Sequence, residues 1–144
     1  MILIIVSSVI FLDQFSKLIA VKSLQLNTPV ILIKNFLYLT LVHNRGAAFG
    51  MLKDQLFFFI AISFLVILFI FIHLKSKNNP FLLKVSLSLI LSGAVGNLID
   101  RLRFGYVIDF LDFRIWPVFN LADSALTIGA LLLSWELLFN KNVT

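Results

Sequence analysis

The run Leu56–Leu74, LFFFIAISFLVILFIFIHL, limits the folds open to this chain more than any other stretch. A helix rises about 1.5 Å per residue, so about 20 apolar residues cross the roughly 30 Å hydrocarbon core of a bilayer. The run holds no Asp, Glu, Lys or Arg and is apolar on every helical face, so part of its surface must meet lipid rather than protein. It reads as a membrane-spanning helix.

Three further segments fit the same length, giving predicted spans at about 1–21, 56–74, 81–99 and 121–139. The first is broken by Asp13 and Lys17, and the last two carry polar residues. Composition agrees: 60% of the 144 residues are hydrophobic, 13% are charged and mean hydropathy is +1.05, far from soluble usage. Residues 1–21 lack a basic leading region and a small-residue cleavage site, so they are expected to stay in the mature chain. Between the first two spans, TPVILIKNFLYLTLVHNRGAAFG is rich in β-branched and aromatic residues and predicts two short strands, about 30–33 and 36–42, in a β region at about 28–45. The loop from Arg101 to Val118 alternates polar and apolar residues and can add extended structure. The expected fold is one integral membrane domain, residues 1–144: an all-α bundle of four transmembrane helices with a small sheet on one membrane face.

Four spans alternate in direction, so the end of the first, the start of the second, the end of the third and the start of the fourth share a face. Asp13 and Lys17, Asn44 to Gly50, Asn97, Asp100 and Arg101, and Asp109, Asp112, Asn120 and Asp123 all fall there. Lys75, Lys77 and Lys84 fall on the other. Simple structural roles account for these residues singly. Asn120 can cap the fourth span, with Asp123 in its positive first turn. Asp13 and Lys17, four apart, fit an intramembrane ion pair, and Asn97 with Arg101, flanked by Asp100, fits bracing of the following loop. Capping explains the gathered cluster poorly.

The residues present narrow its chemistry. Cysteine is absent, which removes thiolate nucleophiles and Cys-ligated metals. His43 and His73 lack the H-E-x-x-H spacing of a zinc peptidase, so no metal site and no cofactor is expected. Ser16 adjoins Lys17 but points about 100° away from it on a helix of about 3.6 residues per turn, and no G-x-S-x-G elbow exists. The net charge of +5 is scattered between apolar runs and offers no tract for nucleic acid. Aspartates remain. Two facing carboxylates can share one proton, so that one activates water while the other protonates a peptide carbonyl. Residue chemistry leaves open whether Asp109 or Asp112 partners Asp123.

The blocks DQFSK (13–17), NRGAAFG (44–50), GAVGNLIDR (93–101), GYVIDFLDF (105–113) and FNLADS (119–124) resemble, in order, those of the bacterial lipoprotein signal peptidases, or signal peptidase II. The resemblance implies an aspartic endopeptidase of the bacterial inner membrane with a small extracytoplasmic sheet. It would remove the signal peptide of prolipoproteins on the amino side of a diacylglyceryl-modified cysteine, with membrane lipid around both. The family's dyad falls on Asp109 and Asp123, which leaves Asp112 to loop structure. Asp13, Lys17, Asn44, Gly46, Asn97, Asp100, Arg101, Asn120 and Ala122 match positions of a supporting shell and substrate cradle. Gly46 also fits a plain turn requirement.

That family topology puts both termini in the cytoplasm and the site near the extracytoplasmic face. Charge counting runs against it: Lys22, Lys34, Arg45, Lys53, Arg101, Arg103 and Arg114 would lie outside, and Lys75, Lys77, Lys84 and Lys141 inside. The competing class is a small four-helix transporter or channel with an ion-binding aspartate. A purely structural membrane subunit is a third reading.

Overall fold

The computed structural model describes residues 1–46, 52, 54–76 and 78–139. Four helices, each long and apolar enough to cross a membrane, and three strands follow the chain order α1 (Ile2–Ser23), β1 (Val30–Ile33), β2 (Leu37–Asn44), α2 (Leu56–Leu74), α3 (Phe81–Phe104), β3 (Val107–Asp112) and α4 (Leu121–Phe139). The four-helix architecture with a small sheet is the one expected from the sequence.

The helices pack by leaving side chains out. In α3 nine residues are buried, and Ser86, Ser88, Ser92, Gly93, Ala94, Gly96 and Asn97 are small or polar. Inside a membrane the hydrophobic effect does not drive helices together, so small residues that let backbones approach supply the packing. Gly93 faces the Ala122 carbonyl so closely that a Cβ would overlap it. A Cβ on Gly96 would lie 2.7 Å from Asp13 Oδ2, and one on Gly129 would lie 2.8 Å from Ser86 O. The pairs Gly93 with Ala122 and Ser86 with Gly129 run in opposite chain directions, so α4 descends antiparallel to α3. Helix α2 carries bulk instead; Ile70 is its one buried residue among those described.

Helix α3 outruns its predicted end by five residues. It stops at Phe104 because Gly105 takes a left-handed φ of 79°, its N–H bonding back to Arg101 O at 3.0 Å. The loop expected from residue 101 therefore begins later, and its alternating part pairs as β3. The sheet order is β1-β2-β3, antiparallel throughout, with Val42 opposite Asp109 and Asn44 opposite Val107. Strand β2 thus runs two residues beyond its predicted end. Leu41, Ile108 and Phe110 bury against Ala20 and so fix the sheet to the end of α1. Residues 47–50, part of the NRGAAFG block, and Lys53, Lys77 and Lys141 lie outside the described residues.

Candidate active site

The first turn of α4 caps itself. Asn120 Oδ1 accepts the Asp123 N–H at 2.9 Å, and Asp123 Oδ2 accepts the Asn120 N–H at 3.3 Å, a reciprocal arrangement that satisfies two otherwise orphaned backbone donors. The capping expectation is met, yet it occupies one carboxylate oxygen of Asp123. The other, Oδ1, accepts Asn97 Nδ2 from α3 at 2.8 Å.

Asp109 comes to the same place from β3. It is 1% exposed; Oδ1 accepts Asn120 Nδ2 at 2.7 Å, and Oδ2 accepts Asn44 Nδ2 from β2 at 2.8 Å. The two asparagines are themselves joined, Asn120 Nδ2 donating to Asn97 Oδ1 at 3.1 Å. Each aspartate therefore holds one member of a single amide pair. Burial pushes the Asp109 carboxyl up to about 7; the charge of Asp123 adds to this, while hydrogen bonds from Asn44 and Asn120 and the charge of Lys17 oppose it.

Behind this pair sits a buried ionic cluster. Lys17 Nζ lies 2.9 Å from Asp13 Oδ2, 2.8 Å from Asp100 Oδ2 and 3.1 Å from Asn97 Oδ1. Lys17, Asp13 and Asp100 are 2%, 0% and 1% exposed. Charges so far from water persist only when paired and hydrogen-bonded, and the remaining oxygens are indeed used. Asp13 Oδ1 accepts the Ala122 N–H at 2.9 Å, Asp100 Oδ1 accepts Gln14 Nε2 at 3.0 Å, and Asp100 Oδ2, besides Lys17, accepts the Ile108 N–H at 3.1 Å. The Asp13–Lys17 ion pair expected from spacing is present, and it ties α1, α3, α4 and β3 together beneath the aspartates.

A cleft of about 270 Å³ opens over the cluster, lined by Asn44, Gly46, Asn97, Arg101, Trp116 and Asp123 among others. Asp109 sits behind Asn44, which lines the cleft and covers it. Arg101 places its guanidinium 4.8 Å from the centre of the Phe59 ring. Of the group expected to brace the following loop, Asp100 does so through the Ile108 N–H. Gly46 donates its N–H to Asn44 Oδ1 at 2.9 Å, a local turn that also lines the cleft. Asp112 points elsewhere: it accepts Thr40 Oγ1 at 2.7 Å and the Arg114 N–H at 2.9 Å.

Two contributors were not expected from the sequence. Gln14 Nε2 reaches Asp13 Oδ2, Asp100 Oδ1 and Gly96 O at 3.1, 3.0 and 3.3 Å. Its place next to Asp13 was a signal, but a neighbouring helical residue points away, and only the close α1–α3 crossing at Gly96 brings it in. Trp116, 59% exposed, forms part of the cleft wall and belongs to none of the polar motifs.

The fold has counterparts among solved structures. A bacterial membrane enzyme determined by the in meso method at 2.3 Å superposes with a TM-score of 0.90 at 34% identity, over 99% of this chain and 92% of that one. A second, at 1.9 Å, gives 0.87 at 34% identity, over 96% and 93%. The class is thus a multi-pass bacterial membrane enzyme. Residues 5–139 match the signal peptidase (SPase) II family, Peptidase_A8. Similar relatives include the lipoprotein signal peptidases of Halothermothrix orenii, 50% identical over 92% of each chain, and of Caldanaerobacter subterraneus subsp. tengcongensis, 47% identical over 99% of each. The chain belongs to the signal peptidase II family of proteases.

Proposed function

We propose that this chain is an aspartic endopeptidase that removes the signal peptide from diacylglyceryl-modified prolipoproteins, cutting on the amino side of the lipidated cysteine, with Asp109 and Asp123 as its catalytic pair. The observation that carries this is the joining of the two carboxylates through Asn97 and Asn120 beside a cleft that Asp123 and Asn97 line, with Asp109 behind Asn44.

With the Asp109 carboxyl raised to about 7, about half of the molecules carry a proton on it at neutral pH, and the one-proton form of the pair is the one that can act. The ionised carboxylate takes a proton from a water as its oxygen attacks the scissile carbonyl carbon, and the protonated one gives its proton to the carbonyl oxygen. As the tetrahedral diol collapses, the C–N bond breaks, the nitrogen leaves with the proton now held by the pair, and one diol hydroxyl returns its proton to the other carboxylate as the new carboxyl product departs. The pair ends as it began, with one proton, and no covalent enzyme intermediate forms. Asn97 and Asn120 hold an oxygen of each aspartate in place. Asn44 must yield Asp109 Oδ2 for a water to reach it.

The orientation that suits this substrate puts the sheet and cleft at the extracytoplasmic face of the inner membrane, with both termini in the cytoplasm and the whole chain one membrane domain. Acyl tails and an apolar signal helix then stay in hydrocarbon while the bond between them meets polar groups. The outward arginines are engaged locally: Arg114 lies 3.6 Å from Asp112, Arg45 lies 3.9 Å from Asp54, and Arg101 and Arg103 stack on Phe59 and Phe104. The deciding experiment incubates purified protein with a precursor bearing diacylglyceryl cysteine and with its unlipidated form. Release of the signal peptide from the lipidated precursor alone is the expected result; equal cleavage of both, or of neither, overturns the proposal.

A further inference from the structure

Arg101 is the one cation that lines the cleft among the described residues, and it faces three carboxylates without joining any of them. Asp100 of its own helix, Asp109 of β3 and Asp123 of α4 all lie within reach of its charge. Among the described residues its guanidinium nevertheless makes no ion pair and donates no hydrogen bond. It lies over the ring of Phe59, 4.8 Å from its centre.

The ends of two helices build this stack. A Cβ on Gly105, the cap of α3, would meet Leu56, the first residue of α2, at 3.9 Å, so α2 begins where α3 stops. Phe59, one turn on, therefore stands beside the last turn of α3, which carries Arg101. The ring of Phe58, edge-on at 5.6 Å, limits how Phe59 can turn. The helix dipole alone favours a basic residue in a last turn, and Arg103, stacked on Phe104 of the same helix, fits that role. Arg101 differs in two respects: its aromatic partner belongs to another helix, and it borders the cleft beside Asp123.

What the stack prevents is an ion pair. A guanidinium in direct contact with an aspartate lowers its pKa by about 1–3, and two ionised aspartates hold no proton for a carbonyl oxygen. The other charges nearby are committed elsewhere. Lys17 of α1 is held by Asp13 and Asp100 at 2.9 and 2.8 Å, Arg45 after β2 lies 3.9 Å from Asp54, and Asn44 offers Asp109 a neutral amide. We infer that Phe59 is a positioning residue of the peptidase: its ring holds the Arg101 guanidinium off Asp109 and Asp123, so that the two aspartates can share a proton. This rests on the function proposed above. An aromatic face suits the task because it attracts the cation through its quadrupole and takes no proton from it.

Phe59→Leu and Phe59→Met remove the ring face and keep apolar bulk, the second standing in if the first melts early, and Phe59→Tyr keeps the face. Two readouts are taken on the full-length protein: the pH profile of kcat on a diacylglyceryl-modified prolipoprotein, and the titration of the Asp109 carboxyl by its infrared C=O stretch, assigned by its loss in Asp109→Asn. In a folded variant without the ring, the alkaline limb and the titration are expected to move down from about 7 by about one pH unit or more. The rate at pH 7 then falls about fivefold or more, and the loss shrinks as pH falls. In Phe59→Tyr both return to about 7. An unchanged limb and titration in a folded variant without the ring overturns the assignment. So does a loss equal at every pH, or a shift that Phe59→Tyr does not reverse. A wild type that leaves the lipidated precursor uncut, while the Asp109 titration follows the ring as expected, removes the peptidase and leaves the placement of Arg101 standing.

Discussion

Asn97 and Asn120 form one amide unit that serves both aspartates: Asn120 Nδ2 donates to Asn97 Oδ1 at 3.1 Å, Asn97 Nδ2 reaches Asp123 Oδ1 at 2.8 Å, and Asn120 Nδ2 reaches Asp109 Oδ1 at 2.7 Å. Lys17, donating to the same Asn97 oxygen, fixes which way that amide faces. Removing Asn97 as Asn97→Ala deletes a hydrogen bond to a charged group, about 1.5–3 kcal/mol or roughly a 10- to 150-fold loss of rate. The check is kcat on a lipidated precursor, with insertion and melting followed in parallel.

Asp109 is expected to make the activity and the stability depend on pH in one direction. Its folded value of about 7 lies above its ordinary 3.8, so the stabilisation by the neutral form is fully present below 3.8 and is lost as pH rises through about 7. The Tm of the wild type is expected to fall between pH 5 and pH 8, with a shallower fall in Asp109→Asn. Activity is expected to lose its shared proton, and hence decline, on the alkaline side of about 7. A Tm and a rate that both rise across this interval contradict the assignment.

The buried ionic cluster predicts where substitutions break the fold rather than the chemistry. Lys17→Met leaves Asp13 and Asp100 without their cation, at about 3–5 kcal/mol for an uncompensated buried charge. Gly96→Ala drives a methyl toward Asp13 Oδ2, an overpacking expected to cost about 1–3 kcal/mol. Thermal melting in detergent checks both, with Lys17→Met the more damaging.

The sequence made the helices and their parity legible, because a nineteen-residue apolar run and the alternation of four spans leave few arrangements. Parity alone collected Asp13, Asn97, Asp109 and Asp123 at one end. It left the partner of Asp123 open, since Asp109 and Asp112 are three apart on a strand and therefore face opposite sides, and only the register of β2 against β3 shows which side meets α4. The crossing of α1 over Gly96 was equally hidden: glycine and serine four apart on α3 were a readable small-residue face, but which helix occupies it is a tertiary fact. The end of α3 was underestimated because hydropathy fades at Asp100, whereas the helix continues to the glycine that can turn left-handed.

Orientation is tested separately from chemistry. A reporter that is active on only one side of the membrane, fused after Thr144, is expected to report a cytoplasmic carboxyl terminus. A periplasmic signal would invert the bundle and place the cleft on the side where lipidated precursors are not presented.

The central claim is that Asp109 and Asp123 work as one proton-sharing pair. The most direct measurement is cleavage of a diacylglyceryl-modified prolipoprotein by purified wild type, Asp109→Asn and Asp123→Asn, each verified as folded by melting. Each substitution is predicted to lower the rate by about 10²–10⁴-fold or more, consistent with loss of general acid–base action. Near-normal release of the signal peptide by either folded variant would contradict the account.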